Sequence, residues 1–416
     1  MDAKETTTTP KALHAVVFPI PLQGHVIPAV HLAIKLASKG FTITFVNTQV
    51  IHHHITKSLP STSQNDIDNN VVDIFAGARE AGMDIRYQTV SDGFPLSFYR
   101  MLNHERYLLE GHMGYLPVQM DKLVGHLVES ADPPVSVLIA DTFHYWQTTL
   151  AKKYDLISVS FWTEPALVFS LYYHLDLLKM NGHYGASHNN REDIIGYIPG
   201  IKAIEPNDMP SYIRELDVST NMHRVINNAF ESVKRADIIL CNTVHELEFE
   251  PISAIQERQP MFAIGPLFPS SFTNSLVPTS FKPELDCTKW LNSKLPKSVL
   301  YISFGSFVPC GKEEIDEIAH GLVLSKVNFI WVLRPDATSY EEPYVLPNGF
   351  ENEVKGRVAK KINNLICEKS SDELRVKITK VKEIIKNSSA QDGSLEKNLC
   401  QFIRDVKTKI SGRSTM

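Results

Sequence analysis

One histidine and one aspartate stand where this chain could carry out proton chemistry. His25 follows the apolar run 15–18 across a turn rich in proline and glycine, and Asp141 comes directly after the apolar run 135–140. Because the carboxyl ends of parallel strands meet at one edge of a sheet, we expect both side chains at that edge. A carboxylate that holds one imidazole nitrogen leaves the other nitrogen to take a proton from a hydroxyl. The pair predicts a general base, and the alternative is a structural histidine with a helix-capping aspartate.

A second turn of small residues closes the apolar run 299–304. Gly305 and Ser306 end this run before a helix-like segment. Free backbone N–H groups at the start of a helix suit a phosphate, so the turn is a candidate phosphate site. A tight turn without a ligand is the alternative interpretation.

Bulky aromatic side chains follow two of the strand ends. Packing in the core is one interpretation of them, and the wall of a pocket for a flat apolar ligand is the other. The cluster comprises Phe143, His144, Tyr145, Trp146, Phe161 and Trp162.

The sequence argues against a metal site. His52, His53 and His54 are consecutive, so they cannot point the same way on a strand or a helix, and we expect them in an exposed loop. The five cysteines are widely spaced and form no CxxC pair, which indicates reduced thiols and not a disulfide framework or a zinc site.

Composition is that of an ordinary globular protein, with 43% hydrophobic and 21% charged residues. The length of 416 residues predicts two or three domains. A net charge of −5 provides no electrostatic reason to expect nucleic acid or an anionic membrane as a partner. The first dozen residues lack the apolar core of a signal peptide, and no stretch is apolar enough to span a membrane. We therefore expect a soluble, cytoplasmic protein.

Strands alternate with helices along the chain, which predicts an α/β protein with mostly parallel, doubly wound sheets. A first helix is expected over 28–38. Proline, serine, threonine and asparagine cluster without periodicity over 268–283, and this segment is interpreted as a linker. The predicted domains are 1–267, 284–394 and an amphipathic C-terminal helix within 395–416.

Taken in order, several segments resemble plant UDP-dependent glycosyltransferases of glycosyltransferase family 1. The resemblance begins with Pro21-Leu22-Gln23-Gly24-His25 and covers nearly all of the chain from Leu13 to about Val358. Further matching segments are 40–48, 197–200, 241–248, 264–267, 290–291, 299–306, 329–334 and 346–350.

The resemblance implies the GT-B fold, in which two Rossmann-like domains face a cleft. It also implies transfer of a sugar, most simply glucose, from a UDP-sugar to a hydroxyl of a small phenolic or flavonoid-like acceptor, with inversion, as in plant secondary metabolism. His25 matches the general base and Asp141 its charge partner. No metal or other cofactor is implied, and the protein is expected to be a monomer without nucleic-acid partners. The remaining site residues are Gly24 and Ser306 for the donor, and Gln23, Phe143 and Trp162 for the acceptor.

The chain departs from the family after the segment 346–350. Family members continue through a Trp-x-x-Gln, a His-Cys-Gly-Trp-Asn-Ser, a later Glu and an acidic-Gln pair, all of which bind the donor. Here Val358 passes directly into Ala359, so we interpret the second domain as shortened by an internal deletion. The alternative is a catalytically impaired splice variant or gene-model product that lacks the donor site and at most binds acceptors. A nicotinamide enzyme is disfavoured because the first turn carries one glycine, Gly24, where the dinucleotide fingerprint needs three.

Overall fold

The computed structural model describes residues 13–59, 73–185, 193–267, 277–281, 286–305, 310–333 and 369–413. The chain divides into two compact units, of which the first comprises 1–283 with 385–416 and the second comprises 284–384. The division therefore falls within 268–285 and again inside a helix near the C-terminus.

A sheet of seven parallel strands forms the centre of the first unit. Strands inside this sheet, such as His14–Phe18, Ile157–Trp162 and Ile238–Cys241, are buried on both faces, and for this reason they read as mainly apolar runs in the sequence. The strands are β1 (His14–Phe18), β2 (Thr42–Thr48), β3 (Ile85–Val90), β4 (Val135–Asp141), β5 (Ile157–Trp162), β6 (Ile238–Cys241) and β7 (Met261–Ala263).

The strands are arranged in the order β3-β2-β1-β4-β5-β6-β7. Strands β2 and β3 are added successively on one side of β1 and the later ones on its other side, so the order reverses between β1 and β4, while all strands remain parallel. At such a reversal the connecting segments leave toward opposite faces of the sheet, and a crevice opens at the carboxyl ends of the two strands. Phe18 pairs with Ala140 across this junction, and Asp141 pairs with Phe161 of β5. The register therefore places the residues that follow β1, β4 and β5 at one edge of the sheet.

Helices cover the sheet of the first unit, and the described part of the second unit also contains helices. The chain also forms a π-helical segment, Tyr107–Tyr115, and a 3₁₀ turn, Pro206–Asp208. The α-helices are α1 (Gln23–Ser38), α2 (Gln49–Ser58), α3 (Ala76–Glu80), α4 (His104–Arg106), α5 (Leu116–Ser130), α6 (Gln147–Lys153), α7 (Ala166–Tyr173), α8 (Leu175–Met180), α9 (Ser211–Arg214), α10 (Asn221–Val233), α11 (Phe249–Gln256), α12 (Thr288–Asn292), α13 (Lys312–Ser325), α14 (Lys369–Ser388) and α15 (Ser394–Arg413).

Helix α1 begins five residues before the predicted start at Pro28. The Leu22 carbonyl already accepts a hydrogen bond from the Val26 N–H, so the first turn closes ahead of the proline. Pro28 lies within the helix, and its fixed φ is compatible with helical geometry. The consequence is that His25 lies in the first turn of α1 and not in the loop before it.

Helix α15 packs into the core of the first unit. Leu399, Phe402 and Val406 are buried in the same apolar cluster as residues of β1 and β2. The Asn398 amide donates to the Ala263 carbonyl of β7, and Lys409 forms an ion pair with Asp237. The last helix is therefore an integral part of the first unit.

The second unit has a small parallel sheet. Within the described residues this sheet contains two strands, β8 (Val299–Ser303) and β9 (Asn328–Val332). Tyr301 is 66% exposed and Val332 is 44% exposed, so both strands show apolar side chains to solvent. None of the helices described for either unit is long and apolar enough to cross a membrane.

Candidate active site

His25 and Asp141 meet at the carboxyl edge of the seven-stranded sheet. The His25 Nδ1–H donates to Asp141 Oδ2 at 2.6 Å, although the residues are 116 positions apart in the chain. The His25 side chain is 12% exposed and that of Asp141 is 1% exposed. With Nδ1 held in this way, the tautomer that carries no proton on Nε2 is favoured. Among the described residues nothing hydrogen-bonds to Nε2, which leaves this nitrogen to act on a ligand.

Asp141 is fixed as firmly as the histidine that it holds. Its Oδ1 accepts a hydrogen bond from the Phe143 N–H at 3.1 Å, while Oδ2 faces His25. Both carboxylate oxygens thus accept hydrogen bonds. These bonds replace the hydrogen bonds to water that the buried charge has lost. This arrangement sets the orientation of the imidazole before any ligand binds.

The pKa shifts of the pair point in the directions that favour its charged form. Burial alone lowers the pKa of His25, but the charge of Asp141, the hydrogen bond to it and the charge of Glu164 raise this pKa above the ordinary 6.5. Burial raises the pKa of Asp141, yet the charge and hydrogen bond of His25 bring it below its usual value. His25 is therefore a stronger base than a free imidazole.

Two other histidines lie near Asp141 and behave in the opposite way. Burial lowers the pKa of His144 to about 3 and that of His112 to about 4. His144 stacks on Phe18 at 4.5 Å between ring centroids, and the His112 Nε2–H donates to the Phe143 carbonyl. Neither bonds to a carboxylate, so both remain neutral, and only His25 of the three has the environment of a base.

Sequence reasoning missed Thr163 and Glu164. The Thr163 hydroxyl lies 3.0 Å from His25 Nδ1, and Glu164 is the next residue in the loop between β5 and α7. The argument that selected Asp141 could have selected them as well, since they follow the strand next to β4. They were overlooked because threonine and glutamate in a loop carry no motif of their own.

The predicted acceptor residues differ in how exposed their side chains are. Gln23 begins α1 and is partly exposed, and the Phe143 ring lies 6.1 Å from the His25 ring. Trp162 is only 1% exposed and packs against Phe143 and Phe230 in the core. Of the aromatic pair, Phe143 is the one beside His25, and Trp162 supports it from within.

The predicted donor residues are described only in part. Gly24 lies at the start of α1 in open space, because a Cβ built on it would have no atom within 4 Å. Ser306 lies outside the described residues, and so does the Val358–Ala359 junction.

The histidine triplet lies in helix α2, and the prediction of an exposed loop was wrong. His52 is buried beside the Tyr87 hydroxyl, 3.0 Å from its Nδ1, while His54 is exposed. The helical rotation of about 100° per residue turns the three rings apart. In the part of the chain that the structure describes, no group of three or more histidine, cysteine or acidic side chains could hold a metal ion.

A cleft of about 580 Å³ lies at the opposite, amino-terminal edge of the sheet. It is lined by residues near the starts of β5 and β6, including Ser158, Arg235 and Arg413. Arg413 forms ion pairs with Asp155 and Asp237 there. The cleft belongs to the attachment of α15 and has no part in the His25 site.

Comparison with known proteins decides the family. The chain is 53% identical over 349 residues to UDP-glycosyltransferase 86A1 of Arabidopsis thaliana, an alignment that covers 83% of this chain and 69% of that protein. The chain belongs to the UDP-glycosyltransferase family. It is also 31% identical over 365 residues to a 7-deoxyloganetin glucosyltransferase of Catharanthus roseus, covering 83% of this chain and 71% of that protein. No family model matches the chain.

Solved structures of UDP-glycosyltransferases have the same fold. The chain superimposes on a UDP-glucose:anthocyanidin 3-O-glucosyltransferase in complex with UDP with a TM-score of 0.74, at 18% identity and with 96% and 100% of the two chains covered. Phytolacca americana UGT2 with UDP-2-fluoro-glucose and pterostilbene matches with a TM-score of 0.70, at 18% identity and with 95% and 100% covered. This UDP-glycosyltransferase therefore has the GT-B fold and is an enzyme of its family.

Proposed function

We propose that this UDP-glycosyltransferase transfers glucose from UDP-glucose to a hydroxyl of a small phenolic or flavonoid-like acceptor, with inversion. The single observation that carries the proposal is the 2.6 Å hydrogen bond from His25 to Asp141 at the topological switch point of the sheet. Glucose is the donor sugar in the names of a 31% identical relative and of a neighbour in fold. The acceptor class is supported by the aromatic ring of Phe143 beside His25 and by a neighbour in fold that is bound to pterostilbene.

In the proposed mechanism, Nε2 of His25 takes the proton of the acceptor hydroxyl. The hydroxyl oxygen then attacks the anomeric carbon of the sugar, and the bond from that carbon to UDP breaks as the new bond forms. A single displacement of this kind inverts the anomeric centre. Asp141 stabilises the imidazolium that forms and keeps Nε2 aimed at the acceptor.

The remaining site residues keep the roles that the family resemblance implies. Gln23 and Phe143 are assigned to the acceptor, Gly24 and Ser306 to the donor. Trp162, the third residue assigned to the acceptor, acts by holding Phe143 in place. No metal or cofactor takes part in the proposed reaction. We also propose that an internal segment of the donor-binding region is missing after Val358, in keeping with relatives that are longer than this chain.

The experiment compares wild type with His25→Ala in transfer from UDP-glucose to a panel of phenols. Loss of the base is expected to lower kcat/KM at least about a hundredfold. His112→Gln, an exchange of a buried histidine near Asp141 without a role in the mechanism, controls for general damage, because His112 is neutral and its described hydrogen bond goes to a carbonyl. An unchanged rate in His25→Ala would contradict the mechanism.

Binding of the donor is measured separately by titration calorimetry of UDP-glucose into the full chain. Saturable binding is expected if the second unit retains a donor pocket. A folded chain that binds no UDP-glucose would contradict glucose transfer and favour the form without a donor site.

A further inference from the structure

Glu164 is a carboxyl-bearing residue beside the His25–Asp141 pair that the proposed mechanism does not use. It follows Thr163, whose hydroxyl oxygen lies 3.0 Å from His25 Nδ1. The loop that carries both residues starts where β5 ends, next to β4, with Phe161 paired to Asp141. Glu164 therefore lies at the same edge of the sheet as the candidate base.

The position of Glu164 before a helix suggests a capping role, but that role is already filled. The N–H groups of Ala166 and Leu167, at the start of α7, donate to the carboxylate of Glu248 at 2.8 and 2.9 Å. A second carboxylate is not needed at this terminus. Glu164 contributes its backbone carbonyl to the local structure, where it accepts from the Cys241 thiol.

The Glu164 side chain also has no bonded partner among the described residues. In the described part of the chain its side chain forms no hydrogen bond and no ion pair, although it is half-buried. Burial raises the pKa of Glu164, the charge of His25 opposes this rise, and the charge of Asp141 adds to it. Burying a carboxylate without a hydrogen-bond partner lowers stability. A ligand that offers a hydrogen-bond donor or a positive charge would therefore bind favourably at this carboxylate.

The charge of Glu164 acts on groups around it. Burial lowers the pKa of His25, but the charge of Asp141, the hydrogen bond to it and, after these, the charge of Glu164 raise this pKa. Burial is the main cause of the raised pKa values of Tyr172 and Tyr212, and the charge of Glu164 adds to both. Because Thr163 contacts His25 Nδ1, the adjacent Glu164 lies in the loop beside the candidate base, near the place where an acceptor held for deprotonation would carry its other substituents.

We propose that Glu164 determines acceptor specificity, and this inference rests on the proposed function. Its carboxylate accepts a hydrogen bond from an amine or a second hydroxyl on the acceptor, and it repels an acceptor that carries a carboxylate. The substrate class is narrowed to neutral or cationic hydroxyl compounds. Acids, and with them the formation of sugar esters, are disfavoured.

The test uses three phenols of similar size that differ in the charge of one substituent. Tyramine carries an ammonium group, tyrosol a hydroxyl and 3-(4-hydroxyphenyl)propionate a carboxylate. Their equilibrium binding to the full chain is measured for wild type, Glu164→Gln and the exposed control Glu129→Gln. Binding is read without UDP-glucose, so the result does not depend on sugar transfer.

Wild type and the control are expected to bind tyramine about tenfold more tightly than the propionate, the effect of one partly screened charge. In Glu164→Gln the two affinities should come within about threefold of each other, with tyrosol nearly unchanged. Equal binding of all three by wild type, binding of none, or an unchanged order in Glu164→Gln would overturn the inference. If the enzyme transfers glucose but does not show this order of affinities, the inference about Glu164 is wrong and the proposed function stands. If it shows this order of affinities but transfers no glucose, only the proposed function is wrong.

Discussion

At the scale of single residues, the site depends on the opposite effects that one environment has on three histidines. His112 and His144 are buried near Asp141 and His25 is partly exposed there, but only His25 donates to the carboxylate. Burial makes the other two weaker bases, while the carboxylate more than offsets burial for His25. The functional histidine is thus distinguished by its carboxylate partner and by its partial exposure.

This difference predicts the pH dependence of transfer. The base must be neutral, so kcat/KM should fall as the pH drops below the raised pKa of His25. In Asp141→Asn the main cause of the rise is removed, so the acid limb should move to lower pH. The rate at the optimum should fall by about 10²- to 10⁴-fold because the imidazolium loses its counter-charge.

A pH–rate profile of kcat/KM for both proteins measures the two effects. An acid limb that stays in place in Asp141→Asn would show that another group controls it. Circular dichroism of the variant confirms that a lower rate does not come from unfolding.

Gly24 offers a second prediction at this scale. A Cβ at this position meets no other atom, and alanine favours a helix more than glycine does, so Gly24→Ala should be as stable as wild type or more stable by up to about 1 kcal/mol. If the donor approaches the backbone there, the added methyl group should raise KM for UDP-glucose about tenfold. Thermal unfolding and initial rates over a range of UDP-glucose concentrations check both parts. A normal KM would remove Gly24 from the donor site.

At the scale of elements, the motif residues of the family serve the structure as much as the chemistry. Glu248, in the segment 241–248, accepts hydrogen bonds from the first two N–H groups of α7 and one from the Thr243 hydroxyl. Helix α7 directly follows the loop that carries Thr163 and Glu164. A residue distant from His25 thereby helps to hold the loop that lines its site.

Glu248→Ala should lower the free energy of unfolding by about 2 kcal/mol, since it removes charge-assisted hydrogen bonds from two backbone donors at a helix start. Glu248→Gln should lose about half as much, because it keeps an acceptor oxygen without the charge. Urea denaturation of both variants measures the difference. Glu129→Ala, at an exposed position of α5, is the control and should differ from wild type by less than about 0.5 kcal/mol.

At the scale of the whole molecule, the first unit is built from both ends of the chain. Helix α15 contributes buried side chains to a core that otherwise comes from residues before 283. Ion pairs of Lys409 and Arg413 with Asp237 fix the last turns of the helix to the segment before β6. The first unit therefore cannot be completed until helix α15 has been synthesised.

Phe402→Ala should therefore destabilise the first unit, although the residue is far from the site in sequence. A fully buried phenylalanine replaced by alanine costs about 3–5 kcal/mol. Urea denaturation followed by tryptophan fluorescence measures the loss, because Trp146 and Trp162 are buried in this unit. Lys397→Ala, exposed on the same helix, should change little. Equal stability of Phe402→Ala and wild type would contradict the packing of α15.

The sequence by itself determined the local features. Apolar runs and turn residues located the strands that precede His25 and Asp141, because strand and turn signals act over a few residues. Short sequence motifs identified the family. It could not establish the direct contact of His25 with Asp141, since this contact depends on the pairing of β1 with β4. The burial of Trp162 and the helical position of His52 were also beyond local patterns.

Only the tertiary structure brought Thr163 and Glu164 to the base, through the register between β4 and β5. It also revealed that Glu248 had taken the capping role, while the Glu164 carboxylate has no hydrogen-bond partner in the described part of the chain. Strand order and register depend on contacts between residues more than a hundred positions apart, and the pKa of a buried group depends on every charge around it. Such information exists in the folded arrangement of the chain and not in any segment of it.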